Sequence, residues 1–287
     1  AFLQNHPFSR AYSADLVLWG KYMFAGVPLA NGFEDSLRMQ RTARIMELYR
    51  FLREVGSTDV ETFISYPAFL DLMGTRLLYI KAAEIAKFKA LDDRFSVLAF
   101  EDGEYAIENK QALPRCFLVH SAEIVHDDEE IFSRFKGNKV DSSEVVVLEE
   151  EFPRDIALEK PDAEEKLPQI ITYEPEEVDI QASPTSGAFL VLTDSYYPGW
   201  KAYVNGQETR IYRADYLFRA VYLPAGEHTV RFVYQPASYR WGLFLSVCGL
   251  AVAAGLTIGA AISTLSRRSA VQKPDVVKAA AETADIS

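Results

Sequence analysis

The sequence predicts an α+β protein. Residues 1–150 read as a mixed α/β domain, residues 168–240 as an antiparallel β-sandwich of jelly-roll kind, and residues 241–265 as one transmembrane helix. Three observations carry this. Helical and strand patterns alternate in the first half of the chain. After residue 168 the pattern changes to short apolar or alternating runs at even spacing, separated by turn dipeptides. The run WGLFLSVCGLAVAAGLTIGAAISTL (241–265) then contains no charged side chain. About 20 apolar residues suffice to cross the hydrocarbon core of a bilayer.

Taken in order, residues 34–55 give the clearest helix. Leu37, Ile45, Leu48, Phe51, Leu52 and Val55 approximate one apolar stripe, and Arg and Glu fill the other face. Asn31-Gly32 is a turn signal ahead of it, and Gly56 is a C-cap behind it. Residues 67–74 form a second, short helix with Pro67 at its start. TRLLYIK (75–81) reads as a buried strand, and residues 95–109 as a hairpin across Asp102-Gly103. CFLVHSAEIV (116–125) is a strand. Residues 127–137 form a helix with an acidic first turn, a basic last turn and Gly137 at its end. EVVVL (144–148) is another strand.

Residues 151–167 are charged and contain Pro, which suits a linker or an exposed crossover. Beyond them IITYE, VDIQAS, AFLVLTD, WKAYVNG, TRIYRA, LFRAVYLP and HTVRFVYQ supply the strands of the sandwich. Asn205-Gly206 predicts a tight hairpin turn between WKAYV and ETRIY. The last strand passes through Pro236 almost directly into the apolar run.

The flanks of that run set a direction. Arg267 and Arg268 close its far end, and Lys273 and Lys278 follow. Basic residues beside a span favour the cytoplasmic side. This places residues 266–287 inside the cell as a disordered tail and residues 1–240 outside. Arg231 and Arg240 on the near side reduce the asymmetry. An external region needs a signal peptide or an earlier span to carry it across. AFLQNHPFSRAYSAD at the N-terminus has neither a basic stretch followed by an apolar one nor a starting Met. The expectation is the C-terminal part of a longer membrane protein. The alternative is a tail-anchored protein with a cytoplasmic domain, which sets the charged tail against the rule.

Composition bounds the function. Net charge is −11 with 25% charged residues, and such an acidic region repels phosphate backbones, which argues against nucleic acid as a partner. Of the two cysteines, Cys248 lies inside the apolar run and cannot pair with Cys116. No Asn-x-Ser/Thr acceptor and no zinc-type Cys/His spacing is present. The residues imply no cofactor and no metal.

One stretch has a recognisable pattern. It comprises Y-Y-P-G-W (196–200), V-N-G (204–206), an aromatic–Arg-Ala strand (218–220) and L-P-A-G-E-H-x-V-x-F-x-Y (223–234). Together these resemble the C-terminal region of the YfhO-like bacterial membrane proteins, which are related to the GT-C glycosyltransferases. N-G-F-E-D (31–35), F-L-D-L-M-G-T-R-L-L (69–78) and L-P-R-C-F-L-V (113–119) resemble the same family's external region. The resemblance implies many upstream transmembrane helices, an external C-terminal domain and a last span. It also implies assistance to sugar transfer from a polyprenyl-phosphate carrier to cell-envelope glycans. The family's catalytic carboxylates belong to loops near the N-terminal helices. No catalytic residue is therefore carried over to this chain. The rival reading is a non-catalytic binding or structural module of the cell envelope, anchored by one helix.

Two groups of residues merit a functional reading. Asp194, Tyr196, Tyr197 and Trp200 combine a carboxylate with aromatic rings, the residue types that contact a glycan. The same residues also suit a plug at the end of a β-sandwich, where buried aromatics need a single polar partner. Ala251, Gly255, Gly259 and Ser263 recur every four residues and present a small face for packing against other helices in lipid. His126-Asp127-Asp128-Glu129-Glu130 looks suited to a metal. It reads better as a helix start, where carboxylates face the positive end of the dipole. Membrane lipid, the upstream helices, a polyprenyl-phosphate sugar and an envelope glycan are the expected partners.

Overall fold

The computed structural model describes residues 10–13, 67–86, 94–101, 103–153, 156–161 and 165–271. The helix expected at 34–55 lies outside them. The contacts divide the chain after Tyr234 into two units.

The first unit is mostly strand. β1 (Arg10–Ser13), α1 (Pro67–Leu72), β2 (Thr75–Lys81), β3 (Phe95–Glu101) and β4 (Glu104–Asn109) come first in the chain. They form a four-stranded sheet of order β1-β2-β4-β3, antiparallel except for β1 against β2. The expected hairpin is present, with Gly103 at φ +82° in its turn.

Next come β5 (Cys116–Val119), β6 (Ala122–Ile124), α2 (Asp128–Lys136) and β7 (Val146–Leu148). CFLVHSAEIV is thus two strands broken at His120-Ser121 rather than one. Asp127 caps α2 by accepting a 2.7 Å hydrogen bond from the Glu130 N–H. That is the helix-start role its acidic cluster predicts.

Then follow β8 (Gln169–Glu174), β9 (Glu177–Ala182), β10 (Ala188–Leu192), β11 (Trp200–Val204), β12 (Gln207–Thr209), β13 (Tyr212–Ala214), β14 (Phe218–Leu223) and β15 (His228–Tyr234). They complete a six-stranded sheet, β5-β10-β14-β13-β7-β6, and an antiparallel five-stranded sheet, β12-β11-β15-β9-β8. TRIYRA is split between the two. Thr209 ends β12 in one sheet, and Tyr212 opens β13 in the other. Asn205 and Gly206 both take positive φ (+51° and +82°), as a primed turn demands.

Alternation places the core. Leu190, Leu192, Val221 and Leu223 of the six-stranded sheet share one hydrophobic cluster with Val178, Ile180, Ala202, Val230 and Phe232 of the five-stranded one. All nine are essentially inaccessible, each contributing about 1.5–3 kcal/mol for the larger side chains. The intervening positions of the five-stranded sheet, such as Asp179, Lys201 and Arg231, are more open and carry charge.

The six-stranded sheet is buried on its other face too, around Phe117, Phe189, Val191 and Tyr212. Part of that cover is the charged segment read as a linker. Phe152 meets Phe189 edge-on at 5.5 Å, and Leu158 packs on the same cluster. The segment is therefore a strap returning the chain to a sheet it has already entered. β5 pairs with β10, and β7 with β13, across the boundary drawn at residue 150. Among the described residues, Phe152 and Leu158 are its apolar contacts with that cluster.

The second unit is dominated by α3 (Ala237–Val271). Within Ala237–Ser263 an 18-residue stretch has a mean hydropathy of 2.1 and none of it is buried, so this helix has the length and composition to cross a membrane. It starts four residues before the apolar run and continues past it to Val271.

Candidate functional site

The Asp194 cluster lies at one end of the core shared by the two sheets. β10 points Leu190 and Leu192 inward, and Asp194 continues that alternation just past the strand. On β14, Arg219 pairs with Leu192 and shares the inward face of Val221 and Leu223. Trp200 and Tyr234 are register partners on β11 and β15. Strand geometry thus brings a carboxylate, a guanidinium and an indole to the same place.

Asp194 is heavily engaged. Its Oδ1 accepts from Arg115 Nε at 3.2 Å and Nη2 at 3.0 Å. Its Oδ2 accepts from Arg219 Nη2 at 3.3 Å, and the Tyr173 hydroxyl lies 3.0 and 3.1 Å from the two oxygens. The carboxylate side chain is 14% exposed, Arg115 11% and Arg219 1%. Arg115 also hydrogen-bonds the Tyr173 hydroxyl and stacks over that ring at 4.6 Å.

Arg219 is the most constrained member. Its guanidinium lies 3.8 Å from the centroid of Trp200 and 5.1 Å from that of Phe232. Burial lowers its pKa to about 10, against the opposing pull of Asp194. It therefore stays cationic at neutral pH. Its Nε is buried and finds no hydrogen-bond partner among the described residues. A guanidinium held this way between aromatic faces depends on Asp194 for its counter-charge.

Of the four residues singled out in the sequence, Asp194 and Trp200 meet through Arg219. Tyr197, 47% exposed, joins by way of Tyr234, whose ring centroid is 6.3 Å from that of Tyr197 and 5.4 Å from that of Trp200. Tyr196 goes elsewhere, under the Arg213 guanidinium at 4.8 Å. Trp200 is half-buried rather than fully enclosed. Arg115, Tyr173 and Arg219 were not singled out. Arg219 has a signal: in LFRAVYL it occupies the same alternating face as Val221 and Leu223. An arginine on a buried face demands an acid. Tyr173, on an edge strand at the far side of the sheet, has no such signal.

Chemically, this arrangement binds its own charges. A carboxylate holding two arginines and a tyrosine lacks the free lone pairs of a general base. What remains accessible is a ledge of aromatic edges formed by Tyr197, Tyr234 and Trp200. Ala251, Gly255, Gly259 and Ser263 lie on α3, where Gly255 and Gly259 have open space around them. Among the described residues, no set of His, Cys, Asp and Glu has the geometry to hold a metal.

No curated protein and no solved structure matches the chain. A family model does: the one described as bacterial membrane protein YfhO matches residues 156–246, from the strap through the Asp194 cluster into the first turns of α3. The resemblance carried by Y-Y-P-G-W, V-N-G and L-P-A-G-E-H is thus matched by the model of the YfhO bacterial membrane protein family over residues 156–246, and the helix that the match enters has the length and composition to cross a membrane.

Proposed function

We propose that residues 1–240 form the external, non-catalytic C-terminal part of a YfhO-like membrane protein, assisting sugar transfer from a polyprenyl-phosphate carrier to cell-envelope glycans. In this reading residues 168–240 belong to a β-sandwich of jelly-roll kind, and α3 packs by its small face against upstream helices. The observation that carries it is the closure of Asp194 by Arg115, Arg219 and Tyr173. Asp194, a carboxylate set among aromatic rings, acts as a clamp at the end of a core, and the reacting groups belong elsewhere in the protein.

A non-catalytic glycan-binding or structural module of the envelope is the second reading. It is favoured by the exposed ring of Tyr197 beside Tyr234 and Trp200, since rings of this kind stack on the apolar faces of sugars.

The test places the purified chain in liposomes with a labelled polyprenyl-phosphate sugar and an envelope acceptor. We expect no transfer. We also expect Asp194→Asn to lower stability by about 3 kcal/mol, because it leaves Arg219 buried without a counter-charge. Transfer by the chain alone, lost in an Asp194→Asn variant that melts like the parent, would make the cluster an active site and contradict the proposal.

A further inference from the structure

A second polar site lies in the first unit, and it shares no residue with the Asp194 cluster. Where α1, the start of β3, the end of β4 and the loop after α2 approach one another, they leave a cleft of about 640 Å³. Small-molecule sites typically occupy ~300–1,000 Å³. Asp71, Arg94, Gln111, Asn138, Asp141 and Ser143 are among the residues lining it.

One wall is built around Asp71. Asn109, fully buried behind it, donates through Nδ2 to Asp71 Oδ1 at 2.7 Å and to the Thr75 carbonyl at 3.2 Å. Arg94 bonds the other carboxylate oxygen, and its Nε donates to Gln111 Oε1 at 2.9 Å. The Asp71 carbonyl accepts from the N–H groups of Gly74 and Leu113, both at 2.9 Å. Backbone and side chain of Asp71 are therefore both fixed before any ligand arrives. Burial raises its pKa, while Asn109 and Arg94 oppose the rise.

The facing wall is the loop at 138–143. Asn138, at φ +52°, accepts the Ala68 N–H through Oδ1 at 3.3 Å. Asp141 Oδ1 accepts from the Ser143 hydroxyl at 2.6 Å and from its N–H at 3.0 Å. Both walls are tied to regular elements, so the cleft is pre-organised.

Its chemistry narrows the ligand. Among the described residues, the ionisable lining groups are two carboxylates, Asp71 and Asp141, and two cations, Arg94 and Lys139. Equal numbers of each sign give no net pull on an anion such as phosphate. Asp71 and the Gln111 oxygen are engaged within their own wall, which leaves the Gln111 amide nitrogen, the second Asp141 oxygen and the Ser143 hydroxyl oxygen for further hydrogen bonds, a mix of donor and acceptors that suits hydroxyl groups. Leu72, Leu113 and Val140 supply apolar flanks. We infer that this cleft binds a neutral, polyhydroxylated ligand of one or two sugar rings.

The experiment titrates the full chain in detergent micelles with N-acetylglucosamine, maltose and inorganic phosphate. Binding is followed by saturation-transfer NMR, and melting curves control for folding. We expect saturable binding of at least one of the two saccharides. It should weaken about tenfold in Gln111→Ala, which removes an amide and loosens Arg94. It should vanish in Ser143→Trp, which fills the cleft, and persist in Tyr197→Ala. Absence of saccharide binding, preference for phosphate, or full binding by Gln111→Ala overturns the inference. So does loss of binding in Tyr197→Ala, which would locate the sugar on the aromatic ledge instead.

Discussion

Asp215 is fully buried in the three-residue turn joining β13 to β14. Its N–H donates to the Val147 carbonyl at 2.8 Å, and its Oδ1 accepts from the Val147 N–H at 2.8 Å. The side chain thus replaces a backbone acceptor and extends the β13–β7 pairing by one residue after the strand has turned away. Asp215 and Tyr216 both take positive φ (+49° and +71°), a conformation unusual for a tyrosine. Oδ2 has no hydrogen-bond partner among the described residues, and burial pushes the carboxyl up to about 7. The folded state therefore binds a proton more tightly than the unfolded chain, whose value is near 3.9. The stability this contributes is complete below about pH 4, falls as pH rises, and is lost above about pH 7. The full amplitude is of order 4 kcal/mol. Urea titrations between pH 4 and 8 should show this decline in the parent and not in Asp215→Asn, which keeps the Oδ1 acceptor. A flat profile in the parent contradicts the assignment.

At the scale of elements, the strap is the informative case. It crosses Gly187 so closely that a Cβ there would lie 2.0 Å from the Ala157 carbonyl oxygen. Side chains fasten it further on. The His120 Nε2 meets Glu165 Oε2 at 2.9 Å, and Glu165 Oε1 accepts the Thr185 N–H at 2.6 Å. Gly187→Ala should displace the strap and cost about 1–3 kcal/mol. It should also speed proteolysis between residues 149 and 168 while the melt stays cooperative. Unchanged cleavage would mean that the strap does not depend on that approach. A charged, Pro-containing segment reads as a linker or an exposed crossover, and composition alone does not show that Phe152 and Leu158 pack on the sheet. By contrast, the 95–109 hairpin, the 75–81 strand and the α2 cap were legible, since each depends on neighbours in sequence. The break of TRIYRA between two sheets was not, because local alternation cannot tell which sheet a residue joins. For the same reason Asp194, Tyr196, Tyr197 and Trp200, close in sequence, stood out together, while Arg115 and Tyr173, distant in sequence, did not.

At the scale of the molecule, an antiparallel β-rich unit is followed after two residues by a helix fit to cross a membrane. The family match bridges the two. The proposed arrangement puts the β-rich unit outside the cell and the C-terminus inside. It follows from Arg267 and Arg268 on one flank of the helix, and it gives an external clamp and cleft access to envelope sugars. Thiol labelling tests it most directly. The background is Cys248→Ser, since Cys116 is buried with its thiol pKa raised to about 12 and stays unreactive. In intact cells a membrane-impermeant maleimide should label Glu208→Cys, on the exposed strand β12, and should reach Ser287→Cys only after permeabilisation. Labelling of Ser287→Cys in intact cells, with Glu208→Cys protected, would contradict the account.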